Sequence, residues 1–149
     1  MKIIYYCFII FCFIIIPSEG FSQKVIASFE DEKDLLNIKT TSGVEVSRST
    51  EFPALSAHSC NIVFPEKGGN LDIVNLNITD WNREEALLLF IWTNEAAKIS
   101  LIIKDSLNHA FTRQYSLKKG ANHLQLPLSD LGKIDKARIN SIGIQIEKN

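Results

Sequence analysis

Residues 117–131 read LKKGANHLQLPLSDL, and this stretch decides the fold class. Lys118 to Asn122 is a turn built around Gly120, which tolerates backbone angles that other residues avoid. The residues after it alternate strictly: Leu124, Leu126 and Leu128 would share one face. Such alternation is typical of a strand with one face on a core and the other towards solvent.

Similar runs occur along the rest of the chain. Seven to nine short β-type runs follow one another at near-regular spacing, with turn residues between them. Helical turns are expected only at Leu35–Ile38 and Ser129–Leu131. The sequence therefore predicts an all-β, two-sheet antiparallel jelly-roll sandwich. The runs are 25–29, 43–47, 61–64, 71–78, 86–93, 99–104, 110–117, 123–128 and 142–146, with 99–104 and 110–117 as a hairpin and 86–93 as a central strand covered on both faces.

The N-terminus has the pattern of a secretory signal peptide. Lys2 precedes an unbroken apolar run, Ile3–Ile16, and small residues follow at Ser18, Gly20 and Ser22. Cleavage after Gly20 or Ser22 is expected, which makes residues 1–22 the signal peptide and 23–149 the domain. The run is short for a bilayer span, so the alternative of a retained membrane anchor is less favoured. The predicted location is secreted, periplasmic or at the cell surface.

Cleavage would remove two of the three cysteines and leave Cys60. An intramolecular disulfide is then impossible, and Cys60 is expected to be a buried small hydrophobe. The formal net charge is −1, and it stays −1 after cleavage because Lys2 and Glu19 both leave. Neither nucleic acid nor, after cleavage, a membrane is expected as a partner.

Catalytic patterns are absent from the sequence. It contains no nucleophile elbow, phosphate-binding glycine loop or paired-histidine metal motif. The adjacent Glu84 and Glu85 are interpreted as solvated surface residues rather than as a glycosidase pair. A non-enzyme is therefore predicted.

A set of aromatic and polar residues indicates ligand binding instead. Sugar-binding proteins stack aromatic rings on the apolar face of a pyranose and use a few fixed polar groups for its hydroxyls. Arg113 shares strand parity with Phe111 and Tyr115, so it would either face a groove or be paired near the sandwich edge. Trp81 and Trp92 are also compatible with core positions, and more strongly so. The candidate ligand-binding residues are Trp92, Asn94, His109, Arg113 and Tyr115.

An ordered series of short motifs resembles the galactose-binding-domain-like β-sandwiches, the carbohydrate-binding jelly rolls found beside agarases and other glycoside hydrolases. The matches span nearly the whole expected domain, and each alone is weak. They are Ala27–Glu32, like an opening strand that ends in Phe-Glu; Thr79–Asn82, like an Asp-Trp-Ser turn; Leu87–Trp92; Ile102–Ser106 before Phe111-Thr112; and 117–131, like a Leu-x-x-Gly-x-Asn…Leu-Pro-Leu signature.

The resemblance implies a non-catalytic module that recognises a polysaccharide or glycan. No cofactor is expected apart from a structural calcium, which in some relatives lies near the first strand, where Glu30 and Asp31 stand here. Relatives commonly continue past the strand at 142–146, so this domain is expected to lack a last strand. Two alternatives stay open: a structural or protein-interaction module of the same fold, and a truncated accessory domain of a glycoside hydrolase.

Overall fold

The computed structural model describes residues 5–7, 13–17, 24–27, 29–51 and 57–146. These residues form twelve β-strands and three short 3₁₀ helices. The strands are β1 Tyr5–Cys7, β2 Phe13–Pro17, β3 Lys24–Ala27, β4 Ile38–Thr40, β5 Glu45–Ser49, β6 Ser59–Phe64, β7 Gly69–Val74, β8 Glu84–Thr93, β9 Ala97–Asp105, β10 Ala110–Leu117, β11 Gly120–Pro127 and β12 Ile139–Ile146. The helices are η1 Glu32–Asn37, η2 Leu128–Leu131 and η3 Lys136–Arg138.

The strands form three sheets, and every pairing is antiparallel. The orders are β10-β9-β12-β7-β4, β11-β8-β2-β3 and β1-β6-β5. The predicted all-β antiparallel sandwich is confirmed, and so is the hairpin of β9 and β10. All nine predicted runs contain a strand. The short helical turns are present as η1 and η2, with η1 beginning earlier than expected at an Asp31 cap.

Three strands were not predicted. β4 follows η1 directly, and β1 and β2 lie within the expected signal peptide. β2 is placed between β8 and β3, and Ile15 within it is fully buried. Cleavage of residues 1–22 and the absence of a last strand stay predictions. In the part of the chain that the structure describes, no helix is long and apolar enough to cross a membrane.

The core lies between the sheets and is almost entirely aliphatic. Trp81 and Phe29 are its largest fully buried side chains, and the Trp81 indole N–H donates to the carbonyl of Ile78 at 3.0 Å. The predicted core position of Trp81 is therefore confirmed. Cys60 is buried as expected, and burial raises the pKa of its thiol well above the usual range, which keeps it protonated and inert.

The strand expected at 71–78 ends at Val74. Asn75 has a φ of 53°, in the left-handed region, and this turns the chain out of the sheet.

Candidate functional site

The outer face of the four-stranded sheet carries a row of apolar side chains. Along β8, Leu87, Leu89 and Ile91 are at most 2% exposed and face the core. Because side chains alternate along a strand, Leu88, Phe90 and Trp92 point to the opposite face, where each is half-buried. The prediction that this strand is covered on both faces, with Trp92 in the core, was wrong. The odd-numbered residues Leu87, Leu89 and Ile91 face the core, whereas Trp92 is on the opposite face.

The neighbouring strand β11 supplies the polar part of this face. Its residues Ala121, His123 and Gln125 stand opposite Trp92, Phe90 and Leu88 in the register. The His123 ring meets Phe90 edge to face, with the ring centroids 4.8 Å apart and the planes at 69°. We call the six residues Leu88, Phe90, Trp92, Ala121, His123 and Gln125 the outer platform. Ala121, with its single methyl group, adds little bulk beside Trp92.

A rigid turn supports one end of the outer platform. Gly120, at a φ of 94°, begins β11 opposite Thr93. The buried Asn122 accepts a hydrogen bond from the N–H of Lys118 at 2.9 Å and donates to the carbonyls of Lys118 and Gly120. The Thr93 hydroxyl donates to the same Lys118 carbonyl at 2.9 Å. These contacts fix β11 against β8 where Trp92 lies.

The predicted candidates Arg113 and Tyr115 lie elsewhere. They are on β10, at the edge of the five-stranded sheet, and stand opposite the buried Leu101 and Ile99, so they face inward. The Arg113 guanidinium donates to Asp130 of η2 at 2.7 Å, and this hydrogen bond raises the pKa of Arg113. Of the two alternatives expected for Arg113, a groove-facing position or a pair near the sandwich edge, the structure shows the second.

Tyr115 makes a similar connection from β10 to β11. Its hydroxyl donates to the carbonyl of Gln125 at 3.4 Å. Burial raises the pKa of Tyr115, with the positive charge of Arg113 acting in the opposite direction. With the Arg113–Asp130 pair, this contact joins the five-stranded sheet to the four-stranded sheet along the edge where the sandwich would otherwise be open.

His109 and Asn94 lie at opposite ends of β9. His109 is in the loop between β9 and β10, and its ring contacts Asp105 at 2.8 Å. Asn94 follows β8 and precedes β9, and its side-chain oxygen is buried without a hydrogen-bond partner among the described residues. The structure therefore distributes the five predicted ligand-binding residues over three places: Trp92 and Asn94 at the end of β8, Arg113 and Tyr115 on β10, and His109 in the loop before β10.

The two predicted calcium ligands are held by protein donors. Glu30 accepts from the His58 N–H and contacts the His58 ring, both at 3.2 Å. Asp31 caps η1 by accepting from the Lys33 N–H at 3.0 Å. Calcium needs six to eight oxygen ligands, and within the described ranges no three His, Cys, Asp or Glu side chains are grouped closely enough to hold a metal. Glu30 and Asp31 are therefore not part of a three-residue metal cluster among the described residues, and the structural calcium stays a prediction.

Glu84 corrects the expectation of a solvated carboxylate pair. Its side chain is 1% exposed, and its Oε1 accepts from Lys24 Nζ at 2.7 Å. Glu85 is exposed, as expected. Glu84 and Glu85 point to opposite faces of β8, and only Glu84 is buried, next to a register shift between β2 and β8.

Comparison with known proteins confirms the fold. No family model matches the sequence, and no curated protein resembles it significantly. Among solved structures, a family 11 carbohydrate-binding module from Clostridium thermocellum, in complex with a β-1,3-1,4-mixed-linked tetrasaccharide, superposes with a TM-score of 0.65. It is 15% identical over 88% of this chain and 89% of its own.

Two further structures are similar. The family 11 carbohydrate-binding module of the cellulosomal cellulase Lic26A-Cel5E of Clostridium thermocellum has a TM-score of 0.60 and 13% identity, over 88% of each chain. An exo-β-agarase has a TM-score of 0.65 and 16% identity over 85% of this chain; this chain spans 22% of the agarase's length. The predicted resemblance to carbohydrate-binding jelly rolls is thus confirmed at the level of fold.

Proposed function

We propose that the protein is an exported, non-catalytic carbohydrate-binding module that holds a polysaccharide on the outer platform. The observation that carries this proposal is the row formed by Phe90 and Trp92. Two aromatic side chains stand on the outward face of a sheet whose other face is already fully packed. The similarity of fold to carbohydrate-binding modules supports the same ligand class.

The geometry of a strand suits a chain of sugar rings. Residues two apart on one face of a strand are separated by about 7 Å, so Phe90 and Trp92 present two apolar surfaces in line along β8. The apolar face of a pyranose buries its C–H groups against such surfaces. His123 and Gln125, on the adjacent strand, offer donors and acceptors for the hydroxyls beside the rings.

This proposal revises the predicted site. It keeps Trp92 and adds Phe90, His123 and Gln125. Asn94, whose buried side-chain oxygen has no partner among the described residues, is kept as a contact just beyond the end of the outer platform. It assigns Arg113 and Tyr115 to closure of the sandwich edge, since Arg113 already binds Asp130 of η2 and Tyr115 already binds the Gln125 carbonyl of β11.

Affinity electrophoresis tests the proposal. The exported protein is run through gels containing agarose or mixed-linkage β-glucan, and retardation measures the affinity. We expect Phe90→Ala and Trp92→Ala each to weaken binding at least tenfold, about 1.4 kcal/mol. Leu36→Ala removes an apolar side chain that is 81% exposed on η1 and is the matched control for non-specific adsorption. Arg113→Ala, measured on the folded fraction, is expected to bind as the wild type does.

Two results contradict the proposal. If no glycan retards the protein, the structural or protein-interaction alternative is favoured. If Arg113→Ala abolishes binding while Trp92→Ala does not, the ligand lies at the sandwich edge rather than on the outer platform. The accessory-domain alternative has its own test, since an in-frame continuation of the gene beyond Asn149 would support it.

Export is tested separately. N-terminal sequencing of protein secreted from the native host is expected to begin at Phe21 or Gln23, as cleavage after Gly20 or Ser22 requires. A mature chain that begins at Met1 would instead support the retained anchor.

A further inference from the structure

A row of hydrogen-bonding side chains crosses the outer face of the five-stranded sheet. Asn70 on β7, Gln145 on β12, Ser100 on β9 and Gln114 on β10 occupy matching register positions on four adjacent strands. Their chain neighbours, such as Leu71, are buried in the core, so the row faces away from it. We call these four residues the amide row.

The carboxamides of the amide row have unused hydrogen-bonding capacity. A carboxamide carries two N–H donors and an acceptor oxygen. Among the residues that the structure describes, the side chains of Asn70, Gln114 and Gln145 make no hydrogen bond, although Asn70 and Gln145 are half-buried. Their polar atoms are not among the buried unpartnered ones, so they are open to water, which ligand hydroxyls can replace.

A cleft adjoins the row at its β7–β12 end. It has a volume of about 590 Å³ and is lined by Thr41, Lys67, Gly69, Asn70 and Gln145, among others. The cleft is shallow and open to solvent, so it suits a chain that lies along the surface rather than an enclosed small molecule. The wall is fixed, because the Thr41 hydroxyl accepts from the Asn70 N–H at 2.9 Å. A Cβ at Gly69 would lie 2.6 Å from Cγ2 of the buried Val44, so no larger residue fits at this position without displacing the core beneath the cleft.

The chemistry of this surface matches a neutral polyhydroxylated chain. Carboxamides donate to and accept from neighbouring hydroxyls at once, and the strands repeat at about 4.8 Å. A polysaccharide laid across the strands would meet the carboxamides of Asn70, Gln145 and Gln114, with the buried Ser100 beneath it on β9. Ile102 lies two residues from Ser100 along β9, on the same face and half-buried, and gives an apolar contact for ring C–H groups.

We infer that the amide row and its cleft form a second glycan-binding surface, so that one molecule bridges two polysaccharide chains. The inference rests on the proposed function for its ligand class. The two surfaces lie on different sheets and face opposite ways from a shared core. Because they share no residue, each can be removed without the other.

Isothermal titration calorimetry with the β-1,3-1,4-mixed-linked tetrasaccharide and with agarose oligosaccharides tests the inference. We expect two ligands per wild-type chain, and one per chain in both Asn70→Ala/Gln145→Ala and Phe90→Ala/Trp92→Ala. Gln114→Ala, on an exposed edge strand, should weaken the amide-row site without affecting folding. Asn82→Ala, an exposed loop carboxamide, is the matched control. Turbidity of soluble mixed-linkage β-glucan should rise with wild type and not with either double variant.

The outcomes separate the two proposals. One ligand per wild-type chain, lost in Phe90→Ala/Trp92→Ala and kept in Asn70→Ala/Gln145→Ala, overturns this inference and leaves the proposed function in place. Binding lost only in Asn70→Ala/Gln145→Ala supports the amide row and overturns the outer platform. Absence of binding to all of these glycans overturns both.

Discussion

The Asp105 carboxylate contacts the His109 ring nitrogen Nδ1 at 2.8 Å, and the Asp105 side chain is completely buried. Three backbone N–H groups also donate to it, from Leu107, His109 and Asp135, at 2.9–3.0 Å. This carboxylate therefore joins the β9–β10 loop to the segment before η3. Its hydrogen bonds hold these two segments together, at the opposite end of β9 from Asn94.

This arrangement predicts acid sensitivity. Burial alone would raise the pKa of Asp105, but the hydrogen bonds from Asp135, His109 and Leu107 outweigh it and lower the pKa to about 2. The unfolded value is about 3.9. A carboxyl whose pKa is depressed on folding stabilises the protein above the unfolded pKa, and the contribution is lost as the pH falls from about 4 towards 2.

We expect Asp105→Asn to flatten the stability profile in that window, because an amide does not titrate there. It should also lower stability at every pH, since its N–H₂ group would face a backbone N–H or the His109 ring. The melting temperature at pH 7 should fall by roughly 5 °C or more. Urea unfolding at pH 2 to 7 gives the measurement, with Asp80→Asn, an exposed carboxyl, as control. If the free energy of unfolding changes with pH in the same way in the wild type and in Asp105→Asn, Asp105 is not the group responsible for the acid sensitivity.

Asn122 is expected to stabilise the turn at Lys118–Gly120 by its three hydrogen bonds. Asn122→Ala leaves the N–H and carbonyl of Lys118 without this partner, and unfolding should become easier by about 1–3 kcal/mol. Asn82→Ala should change the free energy of unfolding by under about 0.5 kcal/mol. Equal values for the two variants would show that the turn holds without its asparagine.

Gly143 leaves room for Asp72 on the outer face of the five-stranded sheet. A Cβ at residue 143 would lie 2.5 Å from Asp72 Oδ1, and that same oxygen accepts from Lys104 Nζ at 3.4 Å. Gly143→Ala should therefore cost about 1 kcal/mol by displacing the carboxylate. In the Asp72→Ala variant the carboxylate no longer occupies the space beside residue 143. Adding Gly143→Ala to that variant should therefore leave the free energy of unfolding almost unchanged. A double-mutant cycle from urea unfolding measures this coupling, and simple additivity would argue against it.

The Lys24–Glu84 pair is expected to stabilise the sheet despite its long sequence separation. Removing the partner of a buried charge costs about 3–5 kcal/mol, and less is expected here because the Lys24 side chain is 44% exposed. Lys24→Met should lower the free energy of unfolding by about 2 kcal/mol. In the Glu84→Gln variant, Lys24→Met should lower the free energy of unfolding by clearly less, because no buried charge then loses its partner. Lys39→Met provides a control at an exposed lysine.

The fold could be predicted from local signals, whereas the site could not. Alternation located the strands because Leu124, Leu126 and Leu128 differ sharply from His123 and Gln125. On β8 both parities are apolar, so nothing in the sequence distinguished Ile91 as core from Trp92 as surface. The choice depends on what packs against each face, which is a property of the assembled sheets.

Long-range partners account for the remaining differences. Arg113 meets Asp130, Glu84 meets Lys24, and Asp105 meets Asp135 only because turns and sheet order bring distant strands together. A sequence pattern shows that each of these groups is polar. It does not show whether the group forms a hydrogen bond or ion pair within the protein or is free to bind a ligand.

The place of β2 in the four-stranded sheet has a consequence for the timing of export. The strand that separates β8 from β3 belongs to the segment whose cleavage is predicted. In a chain that folds before cleavage, residues 13–17 would form β2 beside β8. In a chain that is cleaved first, β2 would be absent and the edge of β8 would be open to pairing with another strand. The same gene would then yield two versions of the sheet that bears Trp92. If the predicted cleavage takes place, material retained in the cytoplasm and material recovered after export would be different samples for any measurement on that face.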